Sequence, residues 1–165
     1  MMKLRAIEPE DLDLLYQIEN NQSLWQVGAT NVPYSRYTLH DYIASSSDDI
    51  YADRQVRLMV ENDEGETVGI VDLVHFSPQH QRAEVGVVIL NAHRRKGYAV
   101  AAIEALSDYA QRVVHLHQLY AVVDTHNEAA VALFRKAGFS VHNTLQEWLF
   151  DGHSYHDALL MQRFL

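Results

Sequence analysis

Six consecutive residues, Arg94-Arg95-Lys96-Gly97-Tyr98-Ala99, set three cations, a glycine and a small side chain just ahead of a helical pattern running from Val100 to Val114. At a helix start the first backbone N–H groups have no internal acceptor and the macrodipole is positive, so a phosphate can take those bonds. Gly97 and Ala99 let an anion come close. The same residues also read as a solvated loop capping a helix, and a basic Gly-x-Ala turn alone does not choose between the two. Upstream, Glu84 opens the run Glu84 to Leu90, where Val87, Val88, Ile89 and Leu90 follow Gly86. Such a run is long enough for one buried strand and too short for a helix. Alternation puts the Glu84 side chain on the face of Gly86 and Val88. There it could take a proton from a substrate, or sit in an edge salt bridge.

The elements that must hold these residues follow from periodicity. Lys3 to Ile7 alternates and leads through Pro9, Glu10 and Asp11, acids suited to a first helical turn, into a helix with Leu12, Leu14, Leu15 and Ile18 at helical spacing. Asn20-Asn21 ends it, and no period holds from Gln22 to Ser35. Trp25, Tyr34 and Tyr37 in or after that loop either line a pocket or cover the edge of the core. Thr38 with Asp41 suggests a capping box for a short helix through Leu39, Tyr42 and Ile43, broken by Ser45 to Asp49. Val56 to Val60 and Thr67 to Phe76 read as strands of a hairpin turning at Asn62-Asp63-Glu64-Gly65, and Gly69 inside the second suggests a bulge or a close contact. Gln118 to Val123 is the strand after the helix, parallel to the Glu84 strand by a right-handed crossover. Asn127 caps a helix reaching Ala137, Gly138 ends it, and Ser140 to Phe150 and Tyr155 to Leu165 form a last hairpin about Asp151-Gly152. This order is α+β with a mixed sheet.

Whole-chain properties narrow the function classes. With 165 residues and 48% hydrophobic composition, one domain spanning residues 1–165 is expected. There is no cysteine, which removes disulfides and thiolate chemistry. The formal charge of -9 argues against a nucleic-acid surface and would draw in cations. Neither a leader-like stretch in Met1 to Glu10 nor a membrane-length apolar run is evident, so a cytoplasmic protein without a membrane partner is expected. Ten histidines include His115-Leu116-His117 and His153-x-x-His156, but both sets fall at turns without a predictable third ligand, and no metal centre is expected.

Arg94, Gly97 and Ala99 after a strand resemble the coenzyme A pyrophosphate loop, Arg/Gln-x-x-Gly-x-Gly/Ala, of the GCN5-related N-acetyltransferases (GNAT). A second block, Leu119 to Val123 and then Asn127 to Phe139, is similar to that superfamily's next strand and helix. The resemblance covers nearly the whole chain. It implies the GNAT fold, with a central sheet of about seven strands, a splayed parallel pair and helices on both faces. It also implies acetyl-CoA as cosubstrate and an amine acceptor. By the same resemblance, pantetheine would bond the backbone of Val87 and Ile89. The Arg94, Arg95, Lys96, Gly97, Tyr98 and Ala99 loop would hold the pyrophosphate. Asn127 and Phe134 would stand on the coenzyme's other side.

Acetyl transfer needs a neutral amine, whereas an alkylamine of pKa about 10.4 is only about a thousandth neutral at pH 7.4, a deficit of roughly 4 kcal/mol. Desolvation or a base must supply it, and Glu84 is the candidate base. Phe134 stands where many members carry a tyrosine that protonates the departing sulfur. A thiol of pKa about 8.5 can still leave as thiolate, so turnover is expected. Tyr120, Tyr98 and His126 are conceivable substitutes. The opening Leu4-Arg5-Ala6 and the ending Gly138-Phe139…Asp151-Gly152…Asp157 resemble the branch of spermidine/spermine and ribosomal-protein N-terminal acetyltransferases. Polyamine enzymes there carry a Glu-Glu-Pro-Tyr-Glu-like segment, and this chain has Asn31-Val32-Pro33-Tyr34-Ser35, although Asp41, Asp48, Asp49, Asp53 and Glu84 could still form an anionic site. Three readings remain open: a small-amine or polyamine acetyltransferase, a protein N-terminal acetyltransferase, or a non-catalytic acyl-CoA-binding module. Family habit and the long last hairpin lead to the expectation of at least a homodimer.

Overall fold

The computed structural model describes residues 2–21 and 32–165. Seven strands form one sheet in the order β1-β2-β3-β4-β5-β7-β6. β1 (Lys3–Ala6), β2 (Val56–Glu61), β3 (Thr67–Ser77) and β4 (Arg82–Ile89) make an antiparallel meander, as the hairpin signals predict. β5 (Gln118–Asp124) runs parallel to β4, and the closing hairpin adds β7 (Tyr155–Phe164) beside β5 and β6 (Ser140–Phe150) at the edge.

Five helices are described. α1 (Leu12–Glu19) and α2 (Arg36–Ser45) pack Leu15 and Leu39 with Met59 and Ile70 on one face of the sheet. α3 (Ile50–Asp53) is a single turn capped by the Asp49 carboxylate, which accepts from Tyr51 N–H; the sequence reading passed over it because four residues carry no period. α4 (Tyr98–Arg112) and α5 (Glu128–Lys136) bury Ile103, Leu106 and Phe134 with Val71, Leu73 and Val85 on the opposite face. Helices therefore cover both faces of a mixed sheet, and the fold is the expected α+β GNAT arrangement. Among the described residues no helix is long and apolar enough to cross a membrane.

Among the boundaries that differ from expectation, two have a cause in local hydrogen bonding and backbone conformation. α2 starts three residues earlier than a Thr38 cap would allow, because the Ser35 hydroxyl accepts from Thr38 N–H at 3.0 Å and takes the cap position itself. α4 starts at Tyr98 rather than Val100, directly after Gly97, whose φ of 77° lies in the left-handed region. Asn20 does more than end α1. Its amide donates to Tyr16 O and Tyr34 O and its oxygen accepts from Tyr34 N–H, which staples the chain before and after residues 22–31. Trp25 and Asn31 lie outside the described residues, Tyr34 packs on the α1–α2 core, and Tyr37 is exposed.

Gly69 accounts for the course of the centre of the sheet. It pairs with Ile89 and sits beside the register shift at Val60/Glu61, and a Cβ there would stand 2.3 Å from Val88 O. Both the bulge and the close contact signalled by a glycine in mid-strand are present.

Candidate functional site

β4 and β5 pair only over Arg82↔Gln118, Ala83↔Leu119 and Glu84↔Tyr120, although β4 continues to Ile89 and β5 to Asp124. Past Glu84 the two strands part, which leaves that edge of β4 without a strand partner. A cavity of about 620 Å³ opens there, within the range of small-ligand and cofactor sites. Val87 and Ile89 form its floor. Ala129, Ala130, Leu133 and Lys136 of α5 form one wall, and the start of α4 forms the other.

That start is built to accept negative charge. The first intrahelical bond runs from Ala101 N–H to Gly97 O at 3.2 Å, so the amides just ahead of Ala101 have no intrahelical acceptor. Arg94, Arg95, Gly97, Tyr98 and Ala99 all line the cavity, and Lys136 adds a cation from the facing wall. Arg94 Nε donates to Ile89 O at 3.2 Å, tying the loop to the strand end it leaves. Lys96 is exposed and does not line the cavity. A residue that the sequence reading passed over does: His93 borders the cavity with its Nδ1 buried, 4.0 Å from Glu66 Oε2 and without a hydrogen-bond partner among the described residues. A histidine ahead of a cation run carries no periodic signal of its own.

Asn127 and Phe134 occupy other roles than lining. The Asn127 carboxamide oxygen accepts from Ala130 N–H at 3.1 Å and caps α5. Phe134 is buried at 6% exposure, its ring edge-on to Phe139 with centroids 5.1 Å apart. α5 reaches the cavity through Ala129, Ala130 and Leu133 instead.

Glu84 is the last residue paired to β5, opposite Tyr120, so it stands at the point of parting. Its carboxylate lies 2.7 Å from His75 Nδ1, and His75 itself is exposed with φ 51°. Burial, reinforced by the Glu84 charge, pushes the Tyr120 phenol up, so it remains a neutral O–H donor. His75 comes from β3, and its approach to Glu84 depends on the irregular pairing between Val74 and Ser77. The same sheet face carries Asp72, opposite Gly86 and forked by Arg57, with Nε–Oδ1 at 2.7 Å. Burial pushes the Asp72 carboxyl up, and the Arg57 charge opposes that shift.

Of the five acids expected to form an anionic patch, Asp48, Asp49 and Asp53 border one cleft of about 530 Å³ with Tyr42 and Arg57. Asp41 and Glu84 do not border it. The histidines also group differently from expectation. His156 gains neighbours from distant segments, Asp124 and His126, whereas sequence offered it only His153.

Comparison with known proteins agrees with this geometry. The family described as "Acetyltransferase (GNAT) domain" matches residues 2–140. Spermidine N(1)-acetyltransferase of Escherichia coli strain K12 is 34% identical over 160 residues, 97% of this chain and 84% of that protein. The Vibrio cholerae spermidine N(1)-acetyltransferase is 28% identical, over 97% of this chain and 91% of its own. The crystal structure of the Vibrio cholerae spermidine N-acetyltransferase in complex with CoA and spermine superposes with a TM-score of 0.86, covering 99% of this chain and 95% of that one.

Proposed function

This chain belongs to the GNAT acetyltransferase family, and from that premise we propose that it is a single-domain polyamine N-acetyltransferase that moves the acetyl group of acetyl-CoA to a primary amine of spermidine or a similar polycation. The observation that carries the reading is the cavity at the parting of β4 and β5, walled on one side by the cationic start of α4. The similarity to the spermidine enzymes supports the choice of acceptor. So does a chain of net charge -9 with three aspartates around one cleft.

In the proposed arrangement the pyrophosphate takes the free amides and cations from Arg94 to Ala99, with Lys136 opposite, and the pantetheine arm runs along Val87 and Ile89. Asn127 acts on the coenzyme side by fixing the start of α5, and Phe134 by packing its body. Glu84 takes the proton as the amine nitrogen attacks the thioester carbonyl, and His75 holds the carboxylate in place. The new N–C bond forms, the C–S bond breaks, and coenzyme A leaves as thiolate. A thiol of pKa about 8.5 makes that exit feasible without a tyrosine at Phe134, and the neutral Tyr120 phenol next to Glu84 is a nearby hydrogen-bond donor. The cytoplasm is the proposed compartment, which cell fractionation checks.

The assay is thiol release from acetyl-CoA with spermidine, spermine, simple monoamines and a peptide with a free N-terminus. Release with the polyamines above all other acceptors is expected. A preference for the peptide would replace the acceptor. Coenzyme binding without release on any amine would overturn catalysis and leave a coenzyme-binding module. The segment Asn31 to Ser35, where the acids of polyamine enzymes are missing, is the observation that keeps the peptide arm in the panel.

The proposal includes a homo-oligomer, at least a dimer. Among the described residues β6 is an edge strand of the sheet, and Trp148, Phe150 and Tyr155 on the last hairpin are each more than half exposed. Light scattering that gives a monomer mass at micromolar concentration would refute it.

A further inference from the structure

Outside the coenzyme cavity, two side chains at the end of β5 and one on β7 bring their ligand atoms together. Asp124 ends β5, His126 lies in the turn to α5, and His156 is on β7. His126 Nδ1 and His156 Nδ1 are 3.3 Å apart, and the Asp124 carboxylate approaches them at 3.6 and 2.8 Å. We propose that Asp124, His126 and His156 form a divalent metal site and that Zn²⁺ is the ion it takes.

The distances fit such an ion. Two nitrogens each about 2.0–2.1 Å from a tetrahedral Zn²⁺ stand about 3.3–3.4 Å apart, and a carboxylate oxygen at a similar radius stands about as far from each. The nitrogen pair already matches. The carboxylate presents Oδ1 to His126 and Oδ2 to His156, and with one ligand atom from each residue the three lie within 4.8 Å of one another, so a small rotation of the Asp124 carboxylate completes the set. Two imidazoles and one carboxylate are a borderline-soft donor set that favours Zn²⁺ over Mg²⁺ or Ca²⁺, which prefer oxygen alone. The fourth position faces solvent on the His126 side, where that side chain is 74% exposed.

A second observation points to the same use. His156 Nε2 is 2.8 Å from Asp151 Oδ2, and Asp151 is itself fixed by accepting from His153 N–H and Ser154 N–H. Without an ion, His156 Nδ1–H donates to Asp124 Oδ2 at 2.8 Å; with the Nε2 proton held by Asp151, an ion that displaces the Nδ1 proton meets a lone pair directed at Asp124 and His126. A carboxylate behind one imidazole nitrogen is the arrangement that orients a metal-ligating histidine. Asp124 is anchored too, since its Oδ1 accepts from His126 N–H at 2.9 Å, and Thr125 N–H donates to Asp157 O across the strands. Among the described residues, the ion pairs of Asp124 and Asp151 are with histidines alone. An ion here would clamp the β5–α5 turn to β7, just ahead of the Asn127 cap.

The test uses the full chain, stripped with a chelator, titrated with Zn²⁺ by calorimetry and with Co²⁺ by visible absorption. One equivalent of Zn²⁺ binding, a tetrahedral cobalt ligand-field band and a raised melting temperature are expected. Asp151→Asn, which keeps an oxygen for the two turn amides but loses the charge, should weaken binding about 10–100-fold, and His126→Ala at least as much. His40→Ala, an exposed position on α2, should change nothing. Equal Zn²⁺ affinity in wild type and His126→Ala, or the same loss in His40→Ala, would overturn the site. Because His126 is exposed, its variant decides the matter even if His156→Ala does not fold. Coenzyme binding is measured beside it, so a failed metal site leaves the acetyltransferase reading untouched.

Discussion

Gly69→Ala adds one methyl group where the sheet leaves none. An ideal Cβ at this position stands 2.3 Å from Val88 O, 2.9 Å from Ile89 Cδ1 and 3.2 Å from Ile89 Cα. Even a favourable C–H···O contact needs about 3.3 Å between carbon and oxygen, so β3 and β4 must separate by about 1 Å. The obstacle is backbone, which cannot swing aside as a side chain does. The upper end of overpacking costs then applies, about 3 kcal/mol or somewhat more. For a chain of this length about 2–4 °C is lost per kcal/mol, giving a melting temperature lower by about 6–12 °C. A glycine-to-alanine change acting only through the unfolded chain would instead stabilise by about 0.4–1 kcal/mol, so the sign alone separates the two mechanisms. Gly86→Ala is the comparator. Its nearest obstacle is the Asp72 carboxylate at 3.1 Å, a side chain that can yield by a few tenths of an ångström, and about 1 kcal/mol is expected. Calorimetric melts of the three proteins decide, with coenzyme A titration alongside because Val87 and Ile89 share the displaced strand. A Gly69→Ala protein that melts at or above wild type would refute the close-contact argument, as would one no less stable than Gly86→Ala.

Two further outcomes test other parts of the molecule. Glu84→Gln should lower kcat for the amine by about 10²–10⁴ while coenzyme affinity stays as it was; an unchanged rate across the pH range would remove Glu84 as the base. Asp11 accepts from Arg5 at 2.8 and 2.9 Å and from Glu8 N–H, and the Arg5 guanidinium holds its carboxyl below the ordinary value. Its folded pKa is depressed, so its contribution is complete above about pH 5 and is lost as pH falls through the ordinary value of about 3.9 and below. Asp11→Asn should therefore cost about 2 kcal/mol at pH 7 and progressively less in acid, with denaturant midpoints converging. A gap that stays constant from pH 7 to pH 3 would contradict the linkage.

Much of the site was legible because its chemistry is local. The run Arg94 to Ala99 carries its cations, its glycine and the helix start within six residues, and the structure keeps them together along one cavity wall apart from Lys96. Phe134 and Asn127 were legible as fold positions, yet their distance from the cavity lining was not, since a helical period says which residues share a face but not what that face meets. The Thr38 cap failed for a similar reason: Ser35 and Thr38 are both capable caps, and the backbone is extended at Ser35, with helix already formed from Arg36. α3 was missed because one turn has no period to read.

Strand alternation, turn dipeptides and helix caps are properties of neighbouring residues, and by themselves they determined the element order, the parallel crossover and the phosphate-type loop of this protein. Where β4 and β5 stop pairing belongs to the sheet as a whole, in which β5 stays paired with β7 along its full length while it leaves β4 after Glu84. The same holds for Glu84 beside His75, and for Asp124, His126 and His156 around one point. Such meetings join side chains on different strands and turns, and their distances are set by packing, on which local sequence rules are silent.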